Sequence, residues 1–488
     1  MSFKKNAFSY FVWIVFIMCN LVVFSFLSLM CAKVLGGPLP VVAFGLAAAF
    51  FGLLFFIYFL TGYLSKKLYS AGKVSKKEKS IRNRLIAEAV IAVCFLAAGV
   101  GLRIYLLPTA GEAAAYFDVA KVSQESSALL VPVQNSVYYY LCLLHGMFLI
   151  FGNQWIAGIW LQIGLQLLAG IVLYFVVRKM AGATVPIITL GYMMFAPSAV
   201  KISLLYAPDM LYFLIWTLGL LFVVLYLNAG VKGTKRHLIG FEIWMWIAAV
   251  LIGALIGFLT YVDVSGIVLL IPVLMLPMVL REAKKKGIGI GRMLLAVAAA
   301  AGGFAGFIFL DGLLSGTGFL RVLYAWGSTF QPEAPDLVLL MQNSSLEVMI
   351  LLVLMAVNVF SFYRRRDRDV TTVWILMTFV MAVLYVMGIT TVSMNGRPLL
   401  LILMCISAAV SFKELFWVKI DDVTQKAPKE VVKEKIIIPA EEATIQFIEN
   451  PLPLPKKHVK RTMDYAFVPE AAKMNYDIEI SENDDFDV

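Results

Sequence analysis

Long apolar runs separated by short polar stretches make up most of this chain. They fall at about 8–31, 39–63, 86–107, 155–177, 184–200, 208–228, 243–261, 264–280, 292–311, 348–363, 371–392 and 397–412. None shows the alternation of apolar and polar positions that marks an outer-membrane barrel. Most are near the roughly 20 residues a helix needs to cross a bilayer. The pattern predicts an all-α polytopic membrane protein with about 12 transmembrane helices.

Charge gives these runs a direction. Lys4 and Lys5 precede the first, and residues 66–84 hold eight Lys/Arg against the single Glu78. Arg178-Lys179, KGTKRH (232–237), REAKKKGIGIGR (281–292) and RRRDRD (364–369) repeat the bias. Such loops face the cytoplasm. The 15-residue stretch YYYLCLLHGMFLIFG (138–152) disturbs this order if it crosses, because every later basic loop then changes side. It is expected to be re-entrant or to lie on the membrane surface. That leaves twelve crossings with both termini inside, and no cleavable signal peptide at the start.

Composition agrees: of 488 residues, 61% are hydrophobic and 15% charged, and mean hydropathy is +0.87. A soluble domain has about one-quarter charged residues. The net charge of +10 sits mostly in short loops between apolar runs and does not indicate nucleic-acid binding. Cys19, Cys31, Cys94, Cys142 and Cys405 lie in or beside apolar runs without CxxC spacing and read as buried thiols. His145, His237 and His458 are too scattered to suggest a zinc site.

On this topology the acids, aromatics and prolines gather on the external face, in loops 108–136 and 311–347 and at Asp209, Asp263 and Arg397. The first loop reads PTAGEAAAYFDVAKV (108–122). As a helix, 111–125 sets Glu112 beside Tyr116 and Asp118 beside Val122, with Lys121 three residues past Asp118. Glu112 suits a general base that takes a proton from an attacking hydroxyl. A surface helix with its acids in water would look the same. Asp209 opens a span, where it is expected to cap the helix N-terminus. Arg321 and Tyr324 are three apart and share a helical face. Arg321 and Arg397 suit phosphate, and equally lipid headgroups.

The order of these features resembles the glycosyltransferase family 39-like members of the C-type membrane glycosyltransferases. The matching residues are Glu112, Ala113, Tyr116 and Ala120, then Tyr138-Tyr139-Tyr140, then FGN (151–153). YFVVRKMAG (174–182), Pro197 and Asp209 in APDMLYF follow. The resemblance runs from about 86 to about 412. It implies a C-type glycosyltransferase-like helical bundle that moves a sugar from a polyprenyl-phosphate donor to an extracytoplasmic acceptor, by a single inverting displacement. Taken together, the residue reading and the resemblance make Glu112, Asp118 and Asp209 the candidate catalytic residues, and Tyr116, Lys121, Arg321, Tyr324 and Arg397 the candidate substrate-binding residues. Where the family has its catalytic Asp, this chain has Gly111. Glu112 or Asp118 is expected to take that place, unless the site binds the lipid-linked sugar without turning it over. The resemblance fixes no cofactor, and a divalent metal is an open option.

The chain divides on this reading into two extra N-terminal helices with a basic loop (1–85), the glycosyltransferase-like domain (86–412) and a cytoplasmic, largely disordered tail (413–488). The tail holds PLPLP (451–455), KKHVKR (456–461) and six acids in its last 18 residues, and its aromatic motifs MDYAFVP (463–469) and MNYDIEI (474–480) suit docking to a protein partner or folding back on the cytoplasmic loops. The expected partners are a polyprenyl-phosphate-linked sugar, its acceptor and membrane lipids. The expected location is a cell membrane, read as a bacterial plasma membrane. The alternatives are a non-catalytic scaffold of the same fold and a lipid or solute transporter or flippase.

Overall fold

The computed structural model describes residues 3–71, 78–107, 135–152, 154–181, 185–205, 207–233, 239–279, 286–328, 337–364, 370–387 and 397–412. All belong to one unit of the chain, Met1–Pro428. Among them every regular element is helical: α1 (Phe3–Leu35), α2 (Leu39–Ala71), α3 (Glu78–Leu106), α4 (Asn135–Phe151), α5 (Trp155–Ala181), α6 (Val185–Phe195), α7 (Pro197–Ser203), α8 (Asp209–Gly233) and α9 (Ile239–Val262). A 3-10 turn (Val264–Leu269) leads to α10 (Leu270–Leu274) and α11 (Leu276–Val279). Then come α12 (Lys286–Leu314), α13 (Phe319–Ser328), α14 (Leu337–Arg364), α15 (Val370–Val386) and α16 (Arg397–Phe412).

Seven of these helices are long and apolar enough to cross a bilayer, or eight if the bent pair α6–α7 counts as one span. This is a multi-pass membrane protein. The other expected spans are helical but shorter, with apolar stretches at Val264–Leu274, Met349–Phe362, Thr372–Val386 and Ile402–Ser411.

The core lies among α5, α8, α15 and α16, where Trp216, Trp374 and residues 402–411 are buried. The periphery is α2, only 6% buried over its most apolar window against 72% for α8. It packs on α1 and α14 and turns Phe44, Phe51 and Phe55 outward. Apolar side chains facing out are at no disadvantage in lipid.

Among the described residues the most extensively packed helix pair is α9 with α12, and the two run parallel. Glu242 pairs with Arg292, Gly253 faces the Ala296 carbonyl, Gly257 faces Ala300 and Gly303, and Tyr261 meets Asp311. A side chain at either glycine would strike a backbone carbonyl, so both must be glycine for the backbones to approach this closely. Parallel neighbours require the chain to travel back between them. The apolar stretch 264–279 makes that return in pieces, because Gly266 lies on the Leu259–Thr260 backbone and Pro272 and Pro277 interrupt hydrogen bonding.

The helix expected to be re-entrant or on the surface is α4. Near its start, Tyr139 packs against Phe258 and Tyr140 bonds Gln162. Its end turns through Gly152 (φ 80°) into α5 at Trp155. Both ends of α4 thus lie toward the end of the bundle where α5 begins and α9 finishes. We call this the loop end, and the opposite end, holding Arg178, Lys179 and Arg292, the basic end.

Of the five free cysteines only Cys405 is buried; Cys94 and Cys142 are exposed, a correction to the buried reading. Both sit in apolar helices, on faces turned away from the rest of the bundle.

Candidate functional site

Several buried polar groups lie toward the loop end. Asp209 is 5% exposed there, in the first turn of α8. The first carbonyl of α8 comes from Pro208, which accepts from the Tyr212 amide at 2.9 Å. Asp209 therefore stands one residue inside the expected cap position, where a carboxylate still benefits from the helix dipole. The corner leading to it is held by Gln162 of α5, whose Nε2 donates to the Ala207 carbonyl (2.6 Å) and the Tyr140 hydroxyl (2.8 Å).

One turn further along α5, Gln166 belongs to a second group. Arg103, 1% exposed at the end of α3, donates from Nε to Gln166 Oε1 and to Ser203 Oγ (2.9 Å). Its Nη1 donates to the carbonyls of Gly99 and Met194, both at 2.8 Å. Gln166 Nε2 reaches the carbonyls of Met193 (3.1 Å) and Ala199 (3.3 Å). Glu347 of α14, also buried, accepts from the Ser198 amide at 3.0 Å.

On the other side of α8, Tyr212 hydrogen-bonds Ser265, and Asp263, 1% exposed, accepts from the Ser265 amide at 2.7 Å. That fixes the start of the 3-10 turn, as an N-cap carboxylate does.

The other expected site residues have different surroundings. Arg321 and Tyr324 share the exposed face of α13, as their spacing predicts. The opposite face is held down by buried Val322 and by Trp326, whose Nε1 donates to the Tyr261 carbonyl at 3.0 Å. Leu320 is also exposed beside them, so this face has the make-up of a membrane–water boundary. Arg397 opens α16. Glu112, Tyr116, Asp118 and Lys121 lie outside the described residues, as does the tail. Asp209 is therefore the expected catalytic residue whose surroundings are defined.

Arg103, Gln162, Gln166 and Glu347 were not expected. The signal was present, since a strongly polar side chain inside an apolar span is costly unless it has partners there. Among the described residues no three His, Cys, Asp or Glu side chains group to hold a metal ion.

No family model matches the chain, and no curated protein matches it. The class that the fold defines is a multi-pass helical membrane protein.

Proposed function

We propose that this protein transfers a sugar from a polyprenyl-phosphate donor to an acceptor outside the cytoplasm, in the manner of the C-type membrane glycosyltransferases. The reading rests on the motif order from 86 to 412. The observation that carries it furthest is the buried carboxylate of Asp209 at the loop end, two residues past the Ala207 carbonyl that Gln162 holds, in a bundle whose opposite end is basic. With the basic end cytoplasmic, as the positive-inside rule directs, this carboxylate belongs to the side where lipid-linked donors are used. Twelve crossings with cytoplasmic termini, two added N-terminal helices and a cytoplasmic tail that docks a protein partner belong to the same proposal.

In the proposed reaction the acceptor hydroxyl attacks the anomeric carbon while the bond to the phosphate oxygen breaks. The phosphate leaves on the lipid, and the hydroxyl proton passes to a carboxylate, Glu112 or Asp118 from the first loop or Asp209. Arg321, Tyr324 and Arg397 are proposed to bind the phosphate and prenyl portions.

A second reading is a transporter or flippase. The discontinuous segments 185–203 and 264–279 favour it, because interrupted spans are a feature of transport sites. Purified protein in liposomes separates the two. Lipid-linked sugar turnover that falls by about 100-fold or more in Asp209→Asn, Glu112→Gln or Asp118→Asn supports transfer with an essential carboxylate. Donor movement across the bilayer without turnover supports transport, and donor binding with neither supports the scaffold.

A further inference from the structure

The break between α6 and α7 bends the span by 56°. Pro197 has no amide hydrogen, so the Met193 carbonyl loses the partner a continuous helix would supply. The bend also separates the Ser198 amide from the Met194 carbonyl. Three backbone groups are thereby orphaned inside an apolar bundle, where each unmet one is costly. Each is taken up by a side chain from a different helix. Gln166 of α5 donates to Met193 O, Arg103 of α3 donates to Met194 O, and Glu347 of α14 accepts from Ser198 N–H. The signs of the charges suit the two helix ends that the break creates: a cation at the carboxyl end of α6 and an anion at the amino end of α7.

Beyond the break, the same side of α5 continues the hold. Gln166 also reaches Ala199 O, Ser203 Oγ accepts from Arg103 while donating to Val200 O, and Gln162 fixes Ala207 O two residues before Asp209. Met193, Met194, Ser198, Ala199 and Ala207 are thus each held at a backbone atom by a side chain of a neighbouring helix.

We propose that Arg103 and Glu347 are positioning residues: they clamp the bent span and so fix where Asp209 stands. The assignment rests on the reading of Asp209 as a site residue, but the clamp itself is tested without any activity. In full-length protein in liposomes, with the five native cysteines replaced, Asp209→Cys serves as a reporter of the corner. Ala249→Cys, buried in α9, serves as a reporter of the rest of the bundle. Reaction of each with a maleimide is followed over time.

Losing one charge-assisted buried hydrogen bond should open the corner by about tenfold or more. Arg103→Met and Glu347→Leu should therefore speed labelling of the Asp209→Cys reporter by that factor and leave Ala249→Cys unchanged. Glu347→Gln, which keeps an acceptor for the Ser198 amide, should restore slow labelling. Unchanged labelling at Asp209→Cys overturns the clamp. Equal acceleration at both reporters overturns it too, because the residues then hold the fold generally. The functional reading is judged apart, by donor turnover with Asp209 intact. Absence of turnover in wild type removes transfer and leaves the clamp standing, whereas slow labelling in all variants removes the clamp alone.

Discussion

A guanidinium that is 1% exposed and surrounded by oxygens of Gln166, Ser203, Gly99 and Met194 depends on each of those acceptors. Removing one leaves a buried donor without its partner, which costs about 1–3 kcal/mol. Gln166→Leu deprives Arg103 Nε of its amide acceptor and also frees the Met193 and Ala199 carbonyls. It should lower unfolding free energy in detergent by about 2–3 kcal/mol. The double variant with Arg103→Met should lose less than the sum of the two single losses, because both act on one network. Additive losses would mean that the two residues act separately. This network was not legible in the sequence. Its members are 63 and 100 positions apart, and nothing local to Arg103 points to Gln166 or Ser203. Asp209 was legible because a proline-acid pair at the head of an apolar run is a local signal, though the two glutamines of α5 were not used to find its surroundings.

Among elements, α9 and α12 give the sharpest contrast between one glycine and another. Gly257→Val drives a branched side chain into the Ala300 carbonyl and should lower stability by about 1–3 kcal/mol or more, seen as a reduced Tm in detergent. Gly302→Ala meets nothing within 4 Å on the same helix pair and should be neutral or raise stability by about 1 kcal/mol, since alanine is the better helix former. Equal effects at the two positions would contradict the packing. The apolar runs themselves were readable, because a helix in lipid needs only length and apolarity. The division of 264–279 into pieces was not read from Pro272 and Pro277, although both prolines are visible there. In an apolar run proline signals interruption without saying whether the chain still continues across.

For the whole molecule, the two ends differ in chemistry and so in the side of the membrane each occupies. Ion pairs cluster at the basic end, where Arg292 meets Glu242 and Arg178 approaches Glu88 at 3.8 Å with Tyr174 between them. A cysteine at Thr317, exposed between α12 and α13, should react with an impermeant maleimide added to intact cells. A cysteine at Lys179, exposed at the basic end, should react only after permeabilisation. The reverse result would invert the protein and move Asp209 to the cytoplasmic side, which ends the lipid-linked donor reading. The expectation of side comes from the basic loops alone, because it depends on a sum of charges and needs no knowledge of contacts.

The parallel contact of α9 and α12 also orders events in time. A helix that will lie against an antiparallel neighbour can find it as soon as the next turn has been made. For α9 the partner does not exist until the interrupted return segment has crossed and α12 has been threaded in after it. During synthesis the glycine-lined face of α9 must wait, covered by lipid or by insertion machinery. The backbone-to-backbone seam between α9 and α12 therefore closes only after the segment between them has been made and α12 has followed it.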